Sequence, residues 1–349
     1  MTIAANLGWP RIGPRRELKT ALESFWSGKT SASQLLADAH ALRAASQAIQ
    51  RGQGISHIPC ADFALYDHVL ETACSLGAIP PGYGWSGDGP VGLETIFALA
   101  RGAPAGRFGP EAAPALEMTK WFDTNYHYLV PRLSATTRFR LVHDRWSEAY
   151  REARAEGVQT RPVLLGPITF LLLSKREDGG DPLDLLPALL PAYADILRNL
   201  AEAGAAWVQI DEPALVTDLP SRAAEAYRLA YRTLADAAPG LRLLLATYFE
   251  GLRDNTSVAC ALPVAGLHVD LVRAPDQLDD VLAAWPRNRW LSLGLVDGRN
   301  VWRTDLRAAL AIARRAREAG FGERLMIAPS CSLLHVPYSV ALEDALDPA

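Results

Sequence analysis

Residues 117–131, EMTKWFDTNYHYLVP, carry the densest mixture of chemically useful side chains in the sequence. Three charged groups (Glu117, Lys120, Asp123), four aromatics (Trp121, Phe122, Tyr126, Tyr128), His127 and Asn125 fall within this one stretch. A strand buried in a parallel sheet reads as a run of Val, Ile and Leu. This stretch is apolar only at its entry (Pro114, Ala115, Leu116), as expected where a strand leaves a core and its loop lines a pocket. A solvated loop with a few core aromatics accounts for Trp121 and Phe122. Lys, Asp, Asn and His interleaved with them are costly to bury unless each is paired, which favours a ligand-lining stretch.

Three further constellations stand out. Asp211 and Glu212 close an apolar run at Pro213. Successive strand residues face opposite ways, so Gln209 and Asp211 share one side and Glu212 takes the other. That is weak geometry for a general acid/base pair, and a hydrolase built on the two carboxylates is the least favoured function. Cys331 with His335, and His268 with Asp270, lack a recognised zinc pairing; a satisfied core histidine explains His268 more cheaply. Arg15, Arg16 and Lys19 sit where a helix should begin, so 15 or 16 shares a face with 19, and the helix dipole adds positive potential. Such a cluster suits a carboxylate- or phosphate-bearing ligand; a solvated basic face is the alternative.

The elements that must position these groups follow from the patterning. Short apolar runs alternate with helical periodicity: a run over residues 3–9, helices from about Arg15 and Ala32, a short strand over 55–60, and a Gly- and Pro-rich connection over 81–110. Later strands are read at 162–166, 206–213, 241–248, 266–271, 290–295 and 325–328, with helices near 145–156, 187–203, 221–237 and 304–319 between them. With the run entering 117, nine strand candidates compete for eight barrel slots, and the surplus one is expected near the N-terminus. The pattern predicts an α/β fold, a (β/α)8 TIM barrel with an N-terminal helical extension and its site at the C-terminal rim, where Asp211, Glu212, Glu250, Asp270, Asp297 and Ser330 fall. A doubly wound open sheet is the alternative, but no Gly-rich phosphate turn follows the first strand.

Composition narrows the function. The chain has 349 residues, 49% of them hydrophobic, enough for a large core, and 35 basic against 39 acidic residues give a net charge of −4. Interspersed signs offer no argument for nucleic acid or a membrane surface. Four scattered cysteines form no C-x-x-C pair, which fits a reducing, cytoplasmic setting. Residues 1–6 show no signal-peptide pattern, and no 18-residue apolar stretch is present.

Several blocks carry a resemblance: Leu7–Gly13 (LGWPRIG), Arg16–Lys19 (RELK), Glu117–Tyr128, Leu164–Pro167 (LLGP), Val208–Leu215 (VQIDEPAL), Gly266–Val272 (GLHVDLV), Leu293–Trp302 (LGLVDGRNVW) and Ala328–His335 (APSCSLLH). In this order they resemble the N-terminal half of cobalamin-independent methionine synthases. The resemblance implies methyl transfer from 5-methyltetrahydrofolate polyglutamate to homocysteine without cobalamin, by two face-to-face (β/α)8 barrels. It implies folate binding through Arg16, Glu17, Leu18, Lys19 and Lys120. It places zinc, its ligands, homocysteine and the catalytic histidine in a C-terminal barrel, so no catalytic residue or metal ligand is assigned in this chain. Cys331 lies in a segment similar to one that supplies a metal-binding Cys in that second barrel, but alone it is no site. Members are roughly twice this long, and residues 1–349 correspond to the first barrel. The expected partners are therefore the folate and a C-terminal barrel, in the same polypeptide or a separate one. A catalytically silent folate-binding or scaffolding barrel that docks such a partner is the alternative.

Overall fold

The computed structural model describes residues 2–342; the outermost parts of the expected 1–349 barrel span, Met1 and 343–349, lie outside them. Eight parallel strands form one sheet: β1 (Ile3–Ala4), β2 (Ile58–Cys60), β3 (Thr160–Leu165), β4 (Trp207–Asp211), β5 (Arg242–Ala246), β6 (Gly266–Asp270), β7 (Trp290–Val296) and β8 (Leu325–Pro329). Their order is β1-β8-β7-β6-β5-β4-β3-β2. The two ends meet through a parallel bridge between Ala5 and His57, where the Asn6 N–H donates to the His57 carbonyl at 3.0 Å and the His57 N–H to the Ala4 carbonyl at 3.1 Å. Closure leaves no unpaired edge.

Strands enclosed by side chains on one face and helices on the other are buried on both, and their polar residues must be paired. Accordingly all six residues of β3 are buried, and β6 is buried throughout. Helices α1 (Glu17–Trp26) and α2 (Ala32–Gly52) lie between β1 and β2. The helical addition expected at the N-terminus is thus built into the first β–α–β crossover, because residues 3–4 already belong to the barrel.

The surplus strand candidate is residues 117–131, not an N-terminal run. Met118–Lys120 and His127–Leu129 pair antiparallel as a hairpin apart from the barrel. It belongs to the long β2–β3 connection, which also contains α3 (His68–Ser75), α4 (Leu93–Arg101) and α5 (Arg145–Ala155). Asp67 ties the hairpin down. One carboxylate oxygen accepts the Val69 and Leu70 N–H groups at 2.8 Å, capping α3, and the other accepts the Leu129 N–H at 3.1 Å. Burial pushes the Asp67 carboxyl up to about 7, against these backbone hydrogen bonds. The remaining helices are α6 (Pro167–Leu172), α7 (Leu186–Glu202), α8 (Ala223–Ala237), α9 (Thr256–Ala261), α10 (Gln277–Ala284) and α11 (Leu306–Ala316). Among the described residues no helix is long and apolar enough to cross a membrane.

Candidate functional site at the barrel mouth

The hairpin lies over the C-terminal ends of the strands and roofs the barrel with aromatic rings. Trp121 meets His68 edge-on at 4.3 Å, Phe122 meets Phe249 at 5.9 Å, and Tyr126 meets His335 at 6.1 Å. Phe249, just beyond β5, packs on His335 at 5.3 Å. The backbone pays for this meeting, since Phe122 (φ 49°) and Phe249 (φ 85°) both adopt the left-handed region, which is rare and costly for bulky residues. Opposite charges fasten the tip. Asp123 lies 3.3 Å from Arg299 and 3.4 Å from Arg273, and Arg299 also donates to the Asp123 carbonyl.

Beneath the roof a cavity of about 50 Å³ is lined by Asp62, His68, Trp121, Asp211, Tyr248, Ser332 and His335, among others. Burial lowers His68 to about 3, with neighbouring His335 adding to the effect; His335 falls to about 4 by burial and the nearby Arg299. Both imidazoles are neutral at pH 7. Asp211 is pushed up to about 7 by burial, opposed by hydrogen bonds from Gln209 and Tyr248 and by the charge of Arg161. Such a carboxyl could exchange a proton near neutrality. However, about 50 Å³ leaves room for water but falls far short of the roughly 300–1,000 Å³ of a small-molecule pocket.

Asp211 ends a polar chain through the barrel interior. The Arg161 guanidinium donates to the Asn6 carbonyl at 2.7 Å and to Gln209 Oε1 at 2.8 Å. Gln209 Nε2 donates to the Leu7 carbonyl at 2.9 Å and to Asp211 Oδ1 at 2.7 Å. Tyr248 completes the chain, donating to Asp211 Oδ2 at 3.0 Å. Glu212 turns the other way, as strand alternation requires. It is buried in the helix layer, where it accepts from the Ile168 and Thr169 N–H groups, the Thr169 hydroxyl, Tyr227 and Tyr231 at 2.6–3.4 Å. A Cβ at Gly166 would lie 2.1 Å from the Glu212 carboxyl carbon, so only glycine fits there. The two carboxylates do not converge, and no acid/base dyad forms.

His268 is a satisfied core residue, with Nδ1 2.9 Å from Ser292 Oγ and Nε2 3.2 Å from the Ser330 carbonyl. Asp270 accepts the Phe249, Val272 and Arg273 N–H groups at 2.9–3.1 Å and so holds the loops beneath the roof. Among the described residues no three His, Cys, Asp or Glu side chains converge as a metal-binding group. All four thiols are buried, and burial raises each of them: Cys60 to about 12, Cys260 to about 11, Cys74 and Cys331 also upward. Among the described residues these donors do not make a set that fits zinc, which the resemblance places in a C-terminal barrel.

The five residues expected at a folate site have different surroundings. Arg16 precedes α1 in the left-handed conformation at φ 62° and is exposed. Glu17 Oε2 accepts the Arg15 N–H at 2.9 Å. Leu18 is 1% exposed and packs with Leu22, Leu35 and Phe97, so only its backbone could face a ligand. Lys19 is exposed, 3.7 Å from Glu23. Lys120 is exposed on the hairpin, opposite His127. Arg11 links the two segments: on the loop leading to α1, its guanidinium lies 5.6 Å from the Tyr126 ring centre and donates to the Ala64 and Leu65 carbonyls at 2.7 and 3.1 Å. Sequence reasoning passed over Arg273, Arg299 and Phe249 as site builders, since nothing local marks partners more than a hundred residues away.

Fold and rim together define a closed parallel (β/α)8 barrel with a plugged mouth and a basic, aromatic upper surface. The chain belongs to the cobalamin-independent synthase family, as its N-terminal domain: the family profile described as "Cobalamin-independent synthase, N-terminal domain" matches residues 3–320. It is 62% identical over 350 residues to a 5-methyltetrahydropteroyltriglutamate–homocysteine methyltransferase from Acidiphilium cryptum, covering 100% of this chain and 45% of the relative. A relative of the same name from Caulobacter vibrioides is 53% identical over 367 residues, covering 100% and 46%. The chain thus spans about half the length of the curated relatives it matches. Among solved structures, a B12-independent methionine synthase from Shewanella sp. W3-18-1 superposes with a TM-score of 0.64 at 14% identity, covering 98% of this chain and 92% of that one. A putative vitamin-B12 independent methionine synthase from Listeria monocytogenes gives 0.63 at 14%, covering 95% and 93%. At that identity they speak to the fold alone.

Proposed function

We propose that this chain is the donor-holding half of a methionine synthase: it binds 5-methyltetrahydrofolate polyglutamate and presents the methyl group to homocysteine held by a C-terminal barrel. The observation that carries this reading is the 62% identity over the full chain to a relative named for that transfer. Rim chemistry supports it. The donor's glutamate tail is a string of carboxylates, and Arg16, Lys19 and Lys120 are exposed cations suited to charge-assisted hydrogen bonds with them. Glu17 fixes the turn before α1 through Arg15, and Leu18 anchors that turn in the core. With the barrel's own mouth reduced to about 50 Å³, the donor lies on the roof rather than inside.

In the transfer, the methyl carbon leaves the donor nitrogen and bonds to sulfur; the nitrogen gains a proton. A thiol of ordinary pKa near 8.5 is mostly protonated at pH 7, and the thiolate is the nucleophile. The cysteines here are buried and the charged groups at the mouth are already paired, so sulfur activation falls to the partner half. Zinc, where the family places it, belongs there too. The setting is cytoplasmic in this reading.

Mixing the chain with a separately produced C-terminal half tests the division of labour. Methyl transfer should require both. Robust turnover by this chain alone contradicts the reading, and an inactive mixture in which the halves still associate points instead to a silent scaffold.

A further inference from the structure

On the barrel flank, beside the roofed cavity, a second cavity of about 370 Å³ opens between α2, α3, the start of α4 and α5. Its walls are mainly apolar, with Leu36, Ala39, Phe63, Val91, Leu93 and Ile96 prominent. Both guanidinium groups in its lining already have a carboxylate partner. Arg43 makes a two-pronged pair with Glu152 at 2.7 and 2.8 Å. Arg145 lies 3.1 Å from Glu71, and His143 lies 2.8 Å from Glu148. An anionic ligand would find no free guanidinium, and any ion would lose hydration against the apolar walls. The lining also includes Ser75, a residue only 2% exposed, which offers a single hydroxyl.

The size is that of a built small-molecule pocket, which runs from about 300 to 1,000 Å³. A dry apolar cavity of about 150 Å³ already takes benzene. We infer that this flank cavity binds an uncharged, largely apolar small molecule of two or three fused rings. Its position gives such binding a route to the mouth. Ala61, in the left-handed region at φ 59°, and Arg145 line both this cavity and the one that contains Asp211. A bound molecule would touch two side chains that also wall the barrel mouth.

The test is a fluorescence titration of the full chain with 1-aminoanthracene, a neutral three-ring probe. The expected result is one saturable site whose affinity falls about tenfold or more when the cavity is filled by Ile96→Trp or narrowed at its lip by Gly92→Phe. A Cβ at Gly92 meets no atom within 4 Å, so the second variant keeps the test open if the first does not fold. Trp302→Ser with Leu306→Ser, which removes the exposed apolar pair beside α11, should leave probe affinity unchanged. Non-saturable binding, unchanged affinity in the folded filling variants, or loss of binding on removing Trp302 and Leu306 would each overturn the inference.

Discussion

Asp123, at the tip of the hairpin, is held 3.3 Å from Arg299, a residue on the loop after β7. Arg299 also covers the Phe249 ring at 5.6 Å, so one side chain fastens the roof by charge and by stacking. Because the Asp123 side chain is 78% exposed, the ion pair itself should contribute under about 1 kcal/mol. Arg299→Ala should therefore change global stability little while freeing the hairpin. Hydrogen exchange should show faster opening at residues 121–128, and unchanged protection there would mean that packing alone holds the roof.

The rim cations lead to a ligand-resolved prediction. Arg16, Lys19 and Lys120 are exposed, so each contact with a tail carboxylate should be worth about 0.2–1 kcal/mol, below the 1.5–3 of a buried charged hydrogen bond. Lys120→Ala, and Arg16→Ala with Lys19→Ala, should weaken a triglutamate folate a few-fold and a monoglutamate less. Equal losses for both, measured by competitive binding, would mean these groups do not read the tail.

The interior chain depends on Gln209, which bonds Arg161, Asp211 and the Leu7 carbonyl together. Replacing it with leucine takes a partner from the buried Arg161, from the Leu7 carbonyl and from the part-buried Asp211. Each stranded group costs about 1–3 kcal/mol, so Gln209→Leu should lower unfolding free energy by about 3 kcal/mol or more in urea. A loss under about 1 kcal/mol would show that Arg161 and Asp211 find other partners.

Buried neutral histidines set an acid limit. Burial lowers His268 to about 4, against the hydrogen bond to the Ser330 carbonyl, whereas an unfolded histidine titrates near 6.5. A lowered folded-state value means stability that is complete above about 6.5 and is lost as pH falls toward 4. Between pH 6 and 5 this residue alone should take away about 1 kcal/mol. Urea unfolding at the two pH values should show that difference shrinking in His268→Gln, whatever its absolute stability. An unaltered slope would show that His268 does not govern this limb.

The barrel was largely legible because its strands are buried on both sides and stand out as apolar runs such as Pro162–Leu165. The opposite facing of Asp211 and Glu212 was legible from strand alternation alone. The roof was not. Residues 117–131 mix apolar and charged positions because one face packs on His68 and Phe249 while the tip meets Arg273 and Arg299, and that pattern imitates a strand running into a loop. The surplus strand is expected near the N-terminus for a related reason: closure needs only Ile3–Ala4 and one bridge at Ala5, so little in the sequence ranks that end above the 117–131 run. Leu18 sits in the expected folate segment as a core anchor, a distinction between packing and contact that spacing does not make.

Direct binding of the donor tests the central claim most plainly. Calorimetric titration of the 349-residue chain with 5-methyltetrahydropteroyltriglutamate should give a saturable one-to-one complex, weakened in Lys120→Ala and weakened further when Arg16 and Lys19 are also replaced by alanine. Absence of binding, or binding indifferent to all three cations, would contradict the assignment of this barrel as the half that holds the methyl donor.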